Sequence, residues 1–263
     1  MKICRYPDVA GPAWGVLDGE DVRELIGDPF GDFEPGHTVA AASAIELSAP
    51  CEPSKVVCVG RNYRALLAEQ GREIPAQPFL FLKASTAVVG PAANVLVPTG
   101  VQDMAHEGEL AVVIGTTARQ LTEEEAWSAV LGYTCANDIT VRDWQGATDQ
   151  WLRAKSSDTH CPLGPWIETE LKNPEDVGVR TLVNGEVRQD GRTDDLVFSI
   201  PQLLVYVSEH MTLLPGDVLL TGTSAGIKPV TPGDIMQVEI EGIGTLTNPV
   251  SRWPMNPTNC ERS

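Results

Sequence analysis

A chain of 263 residues with 42% hydrophobic and 21% charged side chains is long enough for one large core, or for a core with an appendage. A formal net charge of −17 opposes nucleic acid and anionic membrane surfaces, and no stretch approaches the ~18 apolar residues that cross a bilayer. The opening run Met1-Lys2-Ile3-Cys4-Arg5 lacks the apolar centre of a secretion signal. The six cysteines (Cys4, Cys51, Cys58, Cys135, Cys161, Cys260) show no paired spacing, which predicts reduced core thiols in a cytoplasmic protein.

In chain order, residues 1–53 read as a small N-terminal segment, with strand and turn at 15–20 and punctuation at Pro29, Pro35, Gly36, Pro50 and Pro53. From Lys55 the pattern changes. Val56-Val57-Cys58-Val59 is an apolar strand ending in Gly60-Arg61-Asn62-Tyr63, residues 64–70 follow as a helix, and Phe79-Leu80-Phe81-Leu82-Lys83 is a second apolar strand ending in a charge. Glu107-Gly108-Glu109 runs into the wholly apolar Leu110-Ala111-Val112-Val113-Ile114. Thr122 and Glu125 form a capping box, predicting a helix through Ala126, Trp127 and Val130 that stops at Gly132. Residues 133–138 read as a strand delivering Asp138, and Asn184-Gly185 predicts a two-residue hairpin between strands near 179–183 and 186–189. Ser199-Ile200-Pro201-Gln202 opens a second capped helix that buries Leu203, Leu204 and Val207. Strands near 217–222 and 235–240 and a turn at Gly242 and Gly244 complete a domain over 54–253, followed by a flexible tail at 254–263. The expected class is mixed and β-rich (α+β) with few helices, not alternating βαβ units.

The acidic run carries the chemistry. On a strand, Glu107 and Glu109 project from one face. Two carboxylates at the mouth of an apolar strand are costly without a neutraliser, and a hard divalent cation such as Mg²⁺ or Mn²⁺ prefers oxygen ligands. A solvated acidic face is the alternative that these two residues leave open.

Several motifs, in order, carry a resemblance: residues 55–63 (KVVCVGRNY), 106–115 (HEGELAVVIG), 132–143 (GYTCANDITVRD), Lys155 with Asp158-Thr159, and Leu220-Thr221-Gly222-Thr223. Over roughly residues 54–250 the chain resembles the fumarylacetoacetate hydrolase family. That resemblance implies a β-roll or β-sandwich, a homodimer, and Mg²⁺ or Mn²⁺ held by Glu107, Glu109 and Asp138. It further implies Lys155 as the active-site lysine, and Arg142, Gln145, Thr223 and Tyr63 as residues that bind a small anionic 2-oxo acid. A metal chelated by such an acid acts as a Lewis acid and stabilises an enolate, with Lys155 adding positive charge at the same oxygens. That enolate is common to C–C hydrolysis, decarboxylation and isomerisation.

The chain departs from the family where hydrolytic members carry a His and a Glu three residues apart on a short helix. Here the Glu is kept as Glu69, but the His position is Leu66, which cannot deprotonate water. This favours decarboxylation or isomerisation. The rivals are C–C hydrolysis of an acylpyruvate or fumarylpyruvate, with Glu69 or His160 as base, and a metal-binding pseudoenzyme. Ser157, His160 and Ser224 are further departures that suggest an unusual substrate. His106, by alternation, points away from the metal face, and either supports the ligands from behind or has a packing role. His37 and His210 are incidental, Asp190 and Asp194-Asp195 lie in a solvated turn, and Gly60, Gly222 and Gly226 could offer backbone N–H groups to a substrate carboxylate.

Overall fold

The structure is a computed structural model, and it describes residues 1–9, 11–146 and 150–254. Two β-sheets pack face to face. The larger runs in the order Phe33–Ala41, Asp21–Gly27, Gly11–Asp18, Lys2–Asp8, Cys161–Glu168, Val130–Asn137, Gly108–Ile114, Val218–Thr223, Val56–Gly60, Phe79–Lys83. The smaller runs Glu186–Arg192, Gly178–Val183, Ile235–Ile240, Gly244–Arg252, Val95–Val97. Helices among the described residues are few and short, and the sheets do not close into a barrel, so the β-rich class read from the sequence is the class observed.

The expected N-terminal segment is richer than its sequence suggested. It is a four-stranded antiparallel meander that extends the large sheet through Lys2 opposite Glu168 and Ile3 opposite Ile167. The helix opened by Thr122 is shorter than expected. Its capping box forms, but Val130 and Gly132 already belong to the next strand. Gly132 is a strand glycine because a Cβ there would lie 2.5 Å from the Glu168 carbonyl oxygen. The Asn184-Gly185 turn adopts positive φ at both residues, as a type I′ hairpin requires, and its second strand continues to Arg192. Asp190 therefore sits in a strand, and Asp194 and Asp195 in a single 3₁₀ turn, instead of one solvated loop. The tail beyond Pro254, with Cys260, lies outside the described residues. The other five cysteines are free and buried.

The strand Gly108–Ile114 lies at the centre, fully buried along its length. Leu110, Val112 and Ile114 face the smaller sheet and the helix Ile200–His210, meeting Leu203, Leu204, Val207, Val179 and Val238. Ala111 and Val113 face the opposite side, with Cys58, Leu220 and Val218. Period-2 alternation thus gives one strand two apolar faces, which explains why its sequence reads as an unbroken apolar run. At its N-terminal end that alternation turns Glu107 and Glu109 to one side and Gly108 to the other.

Candidate active site

Gly108 separates the two acids for a steric reason. Any Cβ there would fall 2.0 Å from Thr181 Oγ1 of the smaller sheet, so the chain fits only without a side chain. Asp138 directly follows the neighbouring strand Val130–Asn137, in which Asn137 lies opposite Gly108. Two further bonds fix this register: Asn137 Oδ1 accepts from the Glu107 N–H at 2.9 Å, and the Asp138 N–H donates to the Glu107 carbonyl at 2.8 Å. On the other flank, Glu109 lies opposite Thr223 and Ala111 opposite Leu220, so the strand Val218–Thr223 carries one extra residue. That bulge turns the Gly222 N–H onto Glu109 Oε2 at 2.7 Å. Gly222 has φ +104° and no room for a Cβ beside Asn62, so glycine is required here. Its N–H is thus spent on Glu109, not on a substrate carboxylate.

One ligand oxygen from each of Glu107, Glu109 and Asp138 lies within 4.8 Å of the others, and all three residues are buried. Lys155, at the end of the helix Leu152–Lys155, donates to Glu107 Oε2 at 2.8 Å and Asp138 Oδ2 at 2.6 Å. Lys83 reaches Asp138 Oδ1 at 2.6 Å from the far side and donates to the carbonyls of Ile139 and Lys155. Thr140 Oγ1 donates to Glu107 Oε1 at 2.8 Å. Burial would raise all three carboxyls. The two ammonium groups outweigh it at Asp138, which is held below the usual carboxylate range. Lys155 is pulled down by burial but held well above its ordinary value by Asp138 and Glu107, and stays protonated. Glu107 stays raised by burial, with Lys155 opposing. Glu109 has no ion pair among the described residues, and burial plus the neighbouring Asp138 and Glu107 push it well above 4.5. Three converging oxygen donors, one left without a cation, fit a hard divalent ion. Thr140 and Gly222 would hold the outer oxygens of two of the ligands.

The triad and Lys155 line a cavity of about 490 Å³ together with Arg61, Gln70, Arg72, Arg142, Gln145 and Thr223. The structure therefore brings together Glu107, Glu109, Asp138, Lys155, Arg142, Gln145 and Thr223, although the Thr223 hydroxyl already donates to the Gly108 carbonyl and accepts from Gln189. Three other expected residues do not line the cavity. Tyr63 is buried in the core, in the same apolar cluster as Leu66, Leu110 and Leu196. Glu69 is exposed at the end of the helix Arg64–Glu69, where its carboxylate stays in water and accepts from the Gly226 N–H at 3.4 Å; Leu66 is the residue of that helix that lines the cavity. His160 is wholly buried with Nε2 2.9 Å from the Leu96 carbonyl, and burial lowers it to about 4, so it is a neutral packing residue. Ser157 also lies away from the cavity, so neither it nor His160 bears on the substrate through this cavity.

His106 behaves as alternation predicted. Its Nδ1 donates to Gln189 Oε1 at 3.1 Å behind the acidic strand, and burial lowers it to about 4. His37 pairs with Glu24 at the surface, and His210 bonds its own helix. Sequence reasoning missed Lys83 and Gln189. Lys83 had a signal, a single charge closing an apolar strand. Gln189, which accepts from the Gly108 N–H and donates to Thr223 and the Ser224 carbonyl, had none.

A buried acid triad and a lysine lining one cavity between face-packed sheets form a site suited to a hard divalent ion. Residues 55–251 match the model of the fumarylacetoacetate (FAA) hydrolase C-terminal domain, and residues 1–50 that of the Rv2993c-like N-terminal domain. The chain is 39% identical to oxaloacetate tautomerase fahd2, mitochondrial, of Xenopus laevis, over 81% of this chain and 70% of that protein. It is 36% identical to 2,4-didehydro-3-deoxy-L-rhamnonate hydrolase of Sphingomonas sp. (strain SKA58), over 96% and 97% of the two chains. Among solved structures, 2-hydroxyhepta-2,4-diene-1,7-dioate isomerase from Mycobacterium marinum superposes with a TM-score of 0.90 at 41% identity, covering 97% of this chain and 100% of that one. The chain belongs to the fumarylacetoacetate hydrolase family and is an enzyme of that family. No helix among the described residues is long and apolar enough to cross a membrane.

Proposed function

We propose that this enzyme moves a proton between oxygen and carbon of a 2-oxo acid, as a tautomerase or double-bond isomerase, with Mg²⁺ or Mn²⁺ held by Glu107, Glu109 and Asp138. One observation carries the choice: none of the four histidines lines the cavity, and Leu66 occupies its wall where a water-activating base would be needed. Hydrolysis requires a water deprotonated at the site. Tautomerisation leaves the composition of the substrate unchanged: the enol oxygen gives its proton to solvent, C3 takes one from solvent, and between the two the site need only stabilise the negative charge on that oxygen. A divalent ion held by the triad supplies Lewis acidity there. Lys155, kept protonated by its two carboxylate neighbours, supplies a fixed ammonium in a buried setting, where it needs no reorganisation as charge develops. Phe81 and Trp151 flank that ammonium, 4.9 and 6.0 Å from their ring centroids, and keep one side of it dry. The relatives named as tautomerase and isomerase support this reading.

The test is enol-to-keto conversion of oxaloacetate, followed optically with and without EDTA, beside hydrolysis of an acylpyruvate. Metal-dependent tautomerisation with hydrolysis at least a hundredfold slower is expected; the reverse ratio overturns the reading. Leu66→His should raise hydrolysis and leave tautomerisation within a few-fold. We also infer a cytoplasmic homodimer. The buried free thiols support a reducing compartment. The edge strand Phe79–Lys83, with Phe79 and Leu82 exposed, supports pairing of two copies. Sedimentation at micromolar concentration would show a dimer, and a monomer there removes that part of the reading.

A further inference from the structure

We infer that Gln189 is a positioning residue for the divalent ion, fixing through its amide the glycine that separates the two strand ligands. This rests on the divalent-ion reading and adds the residue that sets how its ligands converge. Gly108 lies between Glu107 and Glu109, so its backbone angles decide how the two carboxylates approach one another. Glycine has the widest choice of such angles of any residue. Two metal ligands joined through it need those angles held from outside. The structure holds Gly108 at three points. Its N–H donates to Gln189 Oε1 at 3.0 Å, its carbonyl accepts from the Thr223 hydroxyl at 2.9 Å, and Thr181 Oγ1 occupies the place a Cβ would take. Gln189 Nε2 donates in turn to that same Thr223 hydroxyl at 2.7 Å, which closes a ring of hydrogen bonds around one residue.

The ring spans both sheets. Thr223 ends the strand beside the acids, whereas Gln189 and Thr181 lie opposite each other on neighbouring strands of the smaller sheet, and both are buried. The Gln189 amide is also saturated. Its Oε1 accepts a second bond from His106 Nδ1 at 3.1 Å, and its Nε2 gives a second hydrogen to the Ser224 carbonyl at 2.8 Å. The opposite amide orientation would set hydrogens against the Gly108 N–H and an oxygen against the Ser224 carbonyl, so the ring admits one arrangement. By holding Thr223 and Ser224, the amide also fixes the bulge whose Gly222 N–H binds Glu109 Oε2. One side chain thus sets both the backbone leading into Glu109 and the hydrogen bond at its carboxylate. It does so without charge. A carboxylate in its place would add a fourth anion beside three, and would lack the hydrogens that reach Thr223 and Ser224.

The test is calorimetry of Mg²⁺ on metal-stripped protein, with frozen-solution EPR of bound Mn²⁺, on variants shown to be folded by circular dichroism. In Gln189→Leu the Mg²⁺ dissociation constant should rise ~10–100-fold, and the Mn²⁺ spectrum should change. Leu203→Ala, a buried substitution away from the cavity, controls for stability alone: its Mg²⁺ constant should stay within twofold and its spectrum should match wild type. Thr223→Val breaks the same ring at another member. It should weaken Mg²⁺ at least tenfold, and adding Gln189→Leu to it should cost less than Gln189→Leu costs alone. If Gln189→Leu does not fold, Thr223→Val decides: Mg²⁺ bound as in wild type overturns the ring. Wild-type affinity in both ring variants, or an equal loss in Leu203→Ala, overturns the assignment while the divalent-ion reading stands. If the wild type binds neither Mg²⁺ nor Mn²⁺, both fall.

Discussion

The strand Gly108–Ile114 joins two unlike regions. From Leu110 onward it lies in apolar surroundings on both faces; at its start, Glu107 and Glu109 meet Asp138, Lys83 and Lys155 with almost no exposure to solvent. The apolar region gains free energy from every buried methylene. The charged region gains little, because desolvating five ionisable groups offsets most of their mutual attraction. The difference teaches that the stability of this chain is made in one region and its chemistry in the other, and that the second is tolerated because the first surrounds it.

The largest effect should come from Glu109, the acid without a cationic partner. Glu109→Gln removes an unneutralised buried carboxylate, so the metal-free protein should be no less stable than wild type, while activity falls by about 10³-fold or more. EDTA should reproduce that loss in the wild type. A variant that unfolds, or that keeps full activity, would break the contrast between the two regions. Next come the lysines. Lys155→Met strips Glu107 and Asp138 of a shared partner, and should cost about 3–5 kcal/mol of stability by denaturant titration and ~10²-fold or more in kcat. Lys83→Met touches only the far oxygen of Asp138, and should appear chiefly as metal affinity weakened ~10–100-fold by calorimetry.

The apolar region should answer in the opposite way. Leu203 is fully buried against Leu110 and Val112, and Leu203→Ala should cost about 2–5 kcal/mol with kcat and metal affinity unchanged. A large kinetic effect from that substitution would mean that the two regions are mechanically coupled.

The sequence disclosed these regions unevenly. The triad was legible because strand alternation places Glu107 and Glu109 on one face, and motif order brought in Asp138 and Lys155. The helix Ile200–His210 was legible from its capping box and buried stripe. Glu69, His160 and Tyr63 were misplaced because a motif position gives sequence distance, not direction. Glu69 stays in water, and both His160 and Tyr63 follow their burial into the core. The N-terminal meander escaped notice because its strands carry little alternation, as in Phe33–Ala41, where exposed and half-buried residues alternate without a buried face. Gln189 holds Gly108 across 81 residues of chain, a contact that no local pattern encodes.

The finest test of the comparison is pH. A carboxyl raised in the folded state binds its proton more tightly there than in the unfolded chain, so folding stability falls as pH rises above its ordinary value of 4.5 and onward through the raised one. Asp138 is lowered instead, so its contribution is present above 3.8 and is lost only in stronger acid. His106 and His160 are lowered from 6.5 to about 4, so they add stability that is lost as pH falls between those values, and they oppose Glu109 within that window. Both histidines are common to wild type and Glu109→Gln, so their contribution cancels in the difference between the two and leaves the slope from Glu109. Denaturant midpoints of metal-free wild type minus those of Glu109→Gln should therefore decline as pH is raised above 4.5. Saturating Mg²⁺ should weaken or abolish that decline, since the ion takes the place of the proton. A flat difference curve in EDTA would mean that Glu109 is already neutralised by a group other than a metal, and the charged region would then be self-sufficient like the apolar one.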